Sequence, residues 1–355
     1  MNELARPSLR AITIDEKANW RMLALSLLSV RFIQGFIYWG GGSRRFIYAP
    51  AKLDPSAPHW MANKFQSAMP GAILGTGHII SWLLQHFVAL YAGLIVFSGL
   101  ELLCGLGLMT GFLTRLSALG SVCFSIVLML MFGWQGATCI DEWTMAACNL
   151  AMGMTLVLAG ASVYSLDNVL LARRPWLASR FWFRWVCGSL PLPLSGPAFL
   201  KLSVAVFALT VVFNVGTYNY YRGSVFTPFH AGPTSPSKHH FSLDGLNVTP
   251  DGSVGFHLYL DGGTPEAPAH VMEVTLQDST GKKVEVWNAD QLSHLPKEAI
   301  QNDYSYNQIK PGRYGLSAEM GAAATIHLSM PADRMDGARP FKIVVTDIEG
   351  RSFSD

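Results

Sequence analysis

The feature that most constrains this chain is where its long apolar runs fall: nearly all of them lie before residue 217. A hydrocarbon core of about 30 Å needs roughly 20 apolar residues as helix. Five runs approach that length, at 20–39, 84–109, 113–134, 143–164 and 199–215. Half of the 355 residues are hydrophobic and only 14% are charged, against about 25% in a soluble domain. The expected architecture is therefore a membrane α-helical bundle, with four spans plus a fifth, and something different after it. The expected division is a four-helix transmembrane domain at 1–190, a fifth helix and linker at 191–237, and an extracytoplasmic β domain at 238–355.

That second part alternates in short apolar segments at 256–260, 271–276, 284–287, 325–328 and 341–346. Asp251-Gly252, Asp261-Gly262 and Asp336-Gly337 read as turns between them. Short, evenly spaced strands imply an all-β, immunoglobulin-like sandwich. The stretch 217–238, with three prolines, reads as the linker.

Orientation follows from lysine and arginine in the short loops. Arg6, Arg10 and Lys17 precede the first run, Arg115 sits between the second and third, and Arg173, Arg174, Arg180 and Arg184 follow the fourth. Placing all three groups on one side requires a cytoplasmic N-terminus, and five crossings then put the β domain outside, periplasmic or extracytoplasmic. The first apolar run is too long for a cleavable leader and has no small-x-small site, so it reads as an anchor in a prokaryotic cytoplasmic (inner) membrane. The loop between the first two runs contains Pro50, Pro55, Pro58 and Pro70; its segments 60–68 and 79–84 can lie along the interface.

Ionisable groups at membrane depth are costly and mark candidate sites. Arg31 lies mid-way along the first run with Gln34 one turn on, and Glu101 lies mid-way along the second with Cys104 one turn on. Arg31 and Glu101 can pair. Two readings stay open: a buried polar site for a quinone head or a proton relay, held by Glu101 and Gln34, or an ion pair that sets helix register. Trp39-Gly40-Gly41-Gly42-Ser43-Arg44-Arg45 ends the first run. Gly41 and Gly42 can present backbone N–H groups to an anion, and Arg44 and Arg45 add forked donors on the side where positive charge is disfavoured; the alternative is contact with lipid headgroups. A third cluster runs from Trp134 through Cys139, Asp141 and Glu142 to Trp143. A Cys139 thiolate can attack sulfur, Trp134 and Asp141 would flank the substrate, and the plainer reading is tryptophans anchoring the interface. Cys104, Cys123 and Cys148 read as packing residues, and His59, His78, His86, His239, His240 and His257 have no metal-ligand spacing.

Several classes are disfavoured. A net charge of +2 leaves no footprint for nucleic acid. The five cysteines form no CxxC, CxxCH or ferredoxin-like run, and there is no P-loop or GxGxxG. No haem, flavin or metal site is evident.

With those residues in place, the chain resembles the thiosulfate:quinone oxidoreductase family, its DoxD and DoxA parts in one polypeptide. The DoxD-like motifs are Arg31-Phe32-Ile33-Gln34-Gly35, the Trp39 to Tyr48 stretch, Met69-Pro70-Gly71, Glu101 to Gly105, Gly111 to Arg115, Trp134-Gln135-Gly136 to Asp141-Glu142-Trp143, and Ser165-Leu166-Asp167. Glu101 to Arg115 and Ser165-Leu166-Asp167 also resemble the wider DoxX group. The DoxA-like motifs are Tyr304 to Gly315, with Asn307 and Pro311-Gly312, and Gly321-Ala322-Ala323-Ala324. The resemblance implies oxidation of thiosulfate to tetrathionate, with membrane quinone as electron acceptor. Thiosulfate, quinone and the lipid bilayer are the implied partners; a terminal quinol oxidase and a second copy of the chain are further candidates. No catalytic residues transfer with it, so Arg31, Glu101 and Cys139 stand on the residue argument alone. The competing reading is a non-catalytic membrane subunit that anchors or assembles a respiratory oxidase. A small-anion carrier is a third, and it would call for inverted repeats with broken helices.

Overall fold

The computed structural model describes residues 16–48, 50–136, 141–161, 163–228, 233–236, 238–331 and 340–355. The helical part opens with α1 (Glu16–Ser26) and α2 (Leu28–Ser43), followed by a π-helical turn over Arg44–Tyr48. The expected first span is thus not one straight helix: it bends by 47° at Leu27. Ser26 Oγ donates back to the Leu23 carbonyl at 2.7 Å, the kind of local side-chain bond that bends a helix. Next come α3 (Met61–Ala68), α4 (Thr76–Gln85), α5 (Phe87–Thr110), α6 (Thr114–Phe132), α7 (Asp141–Ala159), α8 (Leu166–Arg173), α9 (Phe181–Val186) and α10 (Gly196–Arg222).

Among the described residues three helices, α5, α6 and α10, are long and apolar enough to cross a membrane, and a fourth span arises if the bent pair counts as one. The helix α7 occupies the expected fourth run but is not among them, because Asp141, Glu142 and Asn149 dilute its apolar content. The helix α10 runs seven residues past the expected end at 215, so Thr217 to Arg222 is helix rather than linker.

Helix ends follow local chemistry. Gly111 has φ of +70° and closes α5 in a Schellman pattern: Phe112 N–H reaches the Gly107 carbonyl at 2.8 Å and Gly111 N–H that of Leu108 at 3.3 Å.

The β part carries β1 (His240–Val248), β2 (Ser253–Gly262), β3 (Ala269–Gln277), β4 (Lys283–Trp287), a short α11 (Ala289–Ser293), β5 (Ile300–Asn302), β6 (Ile309–Gly312), β7 (Gly315–Ala318), β8 (Ala323–Ser329), β9 (Lys342–Asp347) and β10 (Ser352–Ser354). One antiparallel sheet has the order β1-β2-β8-β5; the other has β10-β9-β3-β7-β6, with β4 also on β3. Inward residues of both sheets, among them Phe256, Leu258, Val274, Leu316, Ile326 and Val345, share one core. All five segments read as strands from the sequence are strands here. The Asp251-Gly252 turn forms between β1 and β2. Asp261-Gly262 is no turn. It ends β2, and buried Asp261 accepts from Ser242 Oγ at 2.5 Å and contacts His240 Nδ1 at 2.6 Å. Asp336-Gly337 lies outside the described residues.

The chain folds into two compact units. One comprises Met1–Gly41, Leu100–Val122 and Ala151–Val206; the other comprises Gly42–Gly99, Cys123–Leu150 and Phe207–Asp355.

Candidate functional site

Within the first unit, α2 and α5 cross through glycine. A Cβ on Gly105 would lie 2.3 Å from the Trp39 backbone nitrogen, and one on Gly35 would lie 2.8 Å from the Gly105 carbonyl oxygen. Small residues let two backbones approach this closely. The crossing sets Gly41 against Glu101, whose Oε1 would be 2.4 Å from a Cβ at Gly41. Gln34 Nε2 donates to Ser121 Oγ at 3.2 Å, and Tyr38 OH donates to the Ser121 carbonyl at 2.9 Å. Gln34, Tyr38 and Ser121 therefore form one hydrogen-bonded polar group, and Glu101 packs against the same helix α2 at Gly41.

Arg31 does not join it. Its guanidinium donates to the carbonyls of Ala161 and Tyr164, both at 2.8 Å. The expected Arg31–Glu101 pair is not formed: shared position along two apolar runs does not give shared depth once α2 and α5 cross at Gly35 and Gly105. Arg31 instead belongs with the motif residues around Asp167. That buried carboxylate accepts from Leu113 N–H at 2.7 Å, Thr114 N–H at 3.1 Å, Thr114 Oγ1 at 3.0 Å and Gly188 N–H at 2.7 Å. Arg115 Nε donates to the Val157 carbonyl at 3.0 Å. Gly111 to Arg115 and Ser165-Leu166-Asp167 are thus a hydrogen-bonded latch between loops. Nearby Cys187 is fully buried; burial, then the charge of Asp167, pushes its thiol up to about 11, which makes it unreactive.

The glycine run does not form an anion-binding turn. Gly40, Gly41 and Gly42 lie inside α2, where their N–H groups belong to the helical ladder. Trp134 is no exposed anchor either: it is fully buried, its indole N–H donates to the Ala68 carbonyl at 2.9 Å, and Gly71 packs on its ring. That contact accounts for the glycine of Met69-Pro70-Gly71. Trp143 donates to Thr217 Oγ1 at 2.9 Å. Cys139 lies outside the described residues, and so does the side chain of Asp141, although α7 begins there.

The second unit holds a cavity of about 840 Å³. One wall comes from the loop and helices before the β domain: Lys52, His59, Trp60, Asn63, Lys64, Gln135 and Glu142. The other comes from the β domain: Glu266, Asn307, Lys310 and Glu319. Lys64 pairs with Glu142, and Lys310 with Glu319 at 3.1 Å. Lys52 makes no hydrogen bond or ion pair among the described residues. Burial, then Arg45, Lys64 and Arg44, holds its amine below the usual lysine range, and only Glu142 acts the other way. Arg45 also donates to Ser98 Oγ at 3.4 Å. Arg44, Arg45 and Lys64 thus all act on Lys52 beside the cavity, a local excess of positive charge suited to a small anion. The sequence singled out Arg44 and Arg45 but missed Lys52 and Lys64, which both lie in the loop that holds Pro50, Pro55, Pro58 and Pro70. Their one signal was basic residues near a membrane face where such residues are disfavoured.

A family model described as TQO small subunit DoxD matches residues 26–192, and one described as TQO small subunit DoxA matches residues 222–355. No solved structure matches the chain. The chain therefore belongs to the TQO small-subunit families, a DoxD part followed by a DoxA part in one polypeptide, and is a membrane protein related to thiosulfate:quinone oxidoreductase.

Proposed function

We propose that this protein is a membrane-bound thiosulfate:quinone oxidoreductase. Two thiosulfate dianions join through their outer sulfurs to give tetrathionate; the two electrons released, with two protons from water, reduce one membrane quinone to quinol. The observation that carries the reading is the group of cations Arg44, Arg45, Lys52 and Lys64 beside a cavity lined by both family parts. A dianion cannot enter hydrocarbon, and forked guanidinium donors suit an oxyanion. In this reading the anion binds at that cavity, Glu101 and Gln34 serve the quinone head or its protons, and Cys139 is the thiol available for a sulfur adduct. The finer architecture belongs to the same proposal: five crossings, a cytoplasmic N-terminus, and an immunoglobulin-like β domain on the outer side of a prokaryotic cytoplasmic membrane.

The test is turnover. Purified full-length protein should reduce a soluble quinone analogue when given thiosulfate, and tetrathionate should accumulate at one per quinol. Lys52→Met and Arg44→Ala should each raise the half-saturation for thiosulfate and leave that for quinone unchanged. Absence of thiosulfate-dependent reduction in well-folded protein would favour the non-catalytic subunit. Unchanged half-saturation in both variants would sink the anion site.

A further inference from the structure

The β domain reaches the cavity through the loop between β5 and β6. Asn302 shapes that loop by acting as a strand partner: its Nδ2 donates to the Ile309 carbonyl at 3.0 Å and its Oδ1 accepts from Ile309 N–H at 2.7 Å. The loop then inserts Tyr304 and Tyr306 into the apolar cluster of Trp60, Ala62, Ile80, Leu84 and Phe132, with Tyr304 OH 2.9 Å from Ser81 Oγ. At its end Asn307 meets α3. Gln66 Nε2 donates to the Asn307 carbonyl at 2.9 Å and to that of Gly321 at 3.0 Å, and Gln66 Oε1 accepts from Asn307 N–H at 2.9 Å. Asn307 Nδ2 donates to the carbonyls of Asn63 at 2.9 Å and Met320 at 2.7 Å. Both amides are buried. Gly321 has φ of +77°, and a Cβ there would lie 2.1 Å from the Gln66 carbonyl oxygen.

Four hydrogen bonds between α3 and the β domain in so small a buried contact specify one register, because a shift leaves several amide groups unpaired inside the protein. Asn63 and Lys64, which line the cavity, sit on the same short helix. We infer that Asn307 is a positioning residue for the anion: it holds α3 so that Asn63 and Lys64 face the substrate, and the β domain is thereby part of the thiosulfate site. This rests on the anion-site reading above.

The experiment is steady-state kinetics on full-length Asn307→Ala, Lys64→Met and the double variant. Asn307→Ala should raise the thiosulfate half-saturation about tenfold, in keeping with a lost buried hydrogen-bond pair. Maximal turnover and the quinone half-saturation should move less than about twofold, since neither depends on the anion's grip. If Asn307 acts through α3, it should add little once Lys64 is gone. An unchanged half-saturation in Asn307→Ala, or full additivity with Lys64→Met, overturns the inference. Both variants keep the backbone bonds to Gln66; Asn307→Ser also leaves a hydroxyl donor in place of the amide and serves as the gentler variant, and if neither variant folds, the residue is structural only and the inference also falls. Failure of the anion site itself looks different: Lys64→Met and Lys52→Met would then leave the half-saturation untouched.

Discussion

Gly40 and Gly41 are neighbours on one helix with opposite surroundings. Nothing lies within 4 Å of a Cβ built on Gly40, whereas one on Gly41 would lie 2.4 Å from Glu101 Oε1. Gly40→Ala should therefore be neutral or stabilise by up to about 1 kcal/mol through helix propensity. Gly41→Ala should displace the Glu101 carboxylate, cost about 1–3 kcal/mol by overpacking, and lower quinone reduction more than thiosulfate binding; equal melting temperatures and rates for the two variants would refute the contact. Lys52 carries a pH prediction. Its amine is held below the usual lysine range, so the cation is lost earlier than usual as pH rises. Thiosulfate affinity should then decline on the alkaline side before ordinary lysines titrate, and Lys52→Arg should carry tight binding to higher pH. A half-saturation flat over that range in both proteins would remove Lys52 from the site. The glycine–arginine run was visible in the sequence as unusual, but its use was not. Whether three glycines make an anion turn or a helix that admits a carboxylate depends on what packs against them.

At the level of elements, apolar length located the helices and alternation located five of the ten strands. The bend at Leu27 and five described strands, β1, β5, β6, β7 and β10, were missed. The strands β5, β6, β7 and β10 have only three or four residues each, too few for a periodic pattern to stand out. The crossing of α2 and α5 gives a sharp test. At Gly35 and Gly105 an added methyl would meet backbone atoms at 2.3–2.8 Å, and backbone cannot swing aside. Gly35→Ala or Gly105→Ala should cost about 3 kcal/mol or more, beyond ordinary overpacking. Gly99→Ala, on the same helix α5 but in open space, should be tolerated. Thermal unfolding of the three variants in one detergent decides it. The latch around Asp167 makes a parallel case: Asp167→Ala abandons four donors and should destabilise by several times about 1 kcal/mol.

For the whole molecule, the proposed orientation predicts which surfaces a membrane-impermeant thiol reagent can reach. With the five native cysteines replaced, a cysteine at exposed Ser279 should label from outside intact cells and one at exposed Ser179 should not; the reverse pattern would invert the topology. The sequence by itself determined that the chain is a membrane protein with a helical part and then a β part, because apolar length and strand alternation are properties of contiguous residues and need no partner. It also carried the family motifs. What only the tertiary structure decided is which motif residues act together. Arg31 and Glu101 look like partners along the chain, yet Arg31 bonds to the carbonyls of Ala161 and Tyr164. Lys52, Lys64 and Asn307, unremarkable or distant in sequence, meet at one cavity. The reason is physical: hydrogen bonds and charge clusters depend on distances between segments up to about 250 residues apart, and those distances are set by how glycines and buried amides let the segments pack.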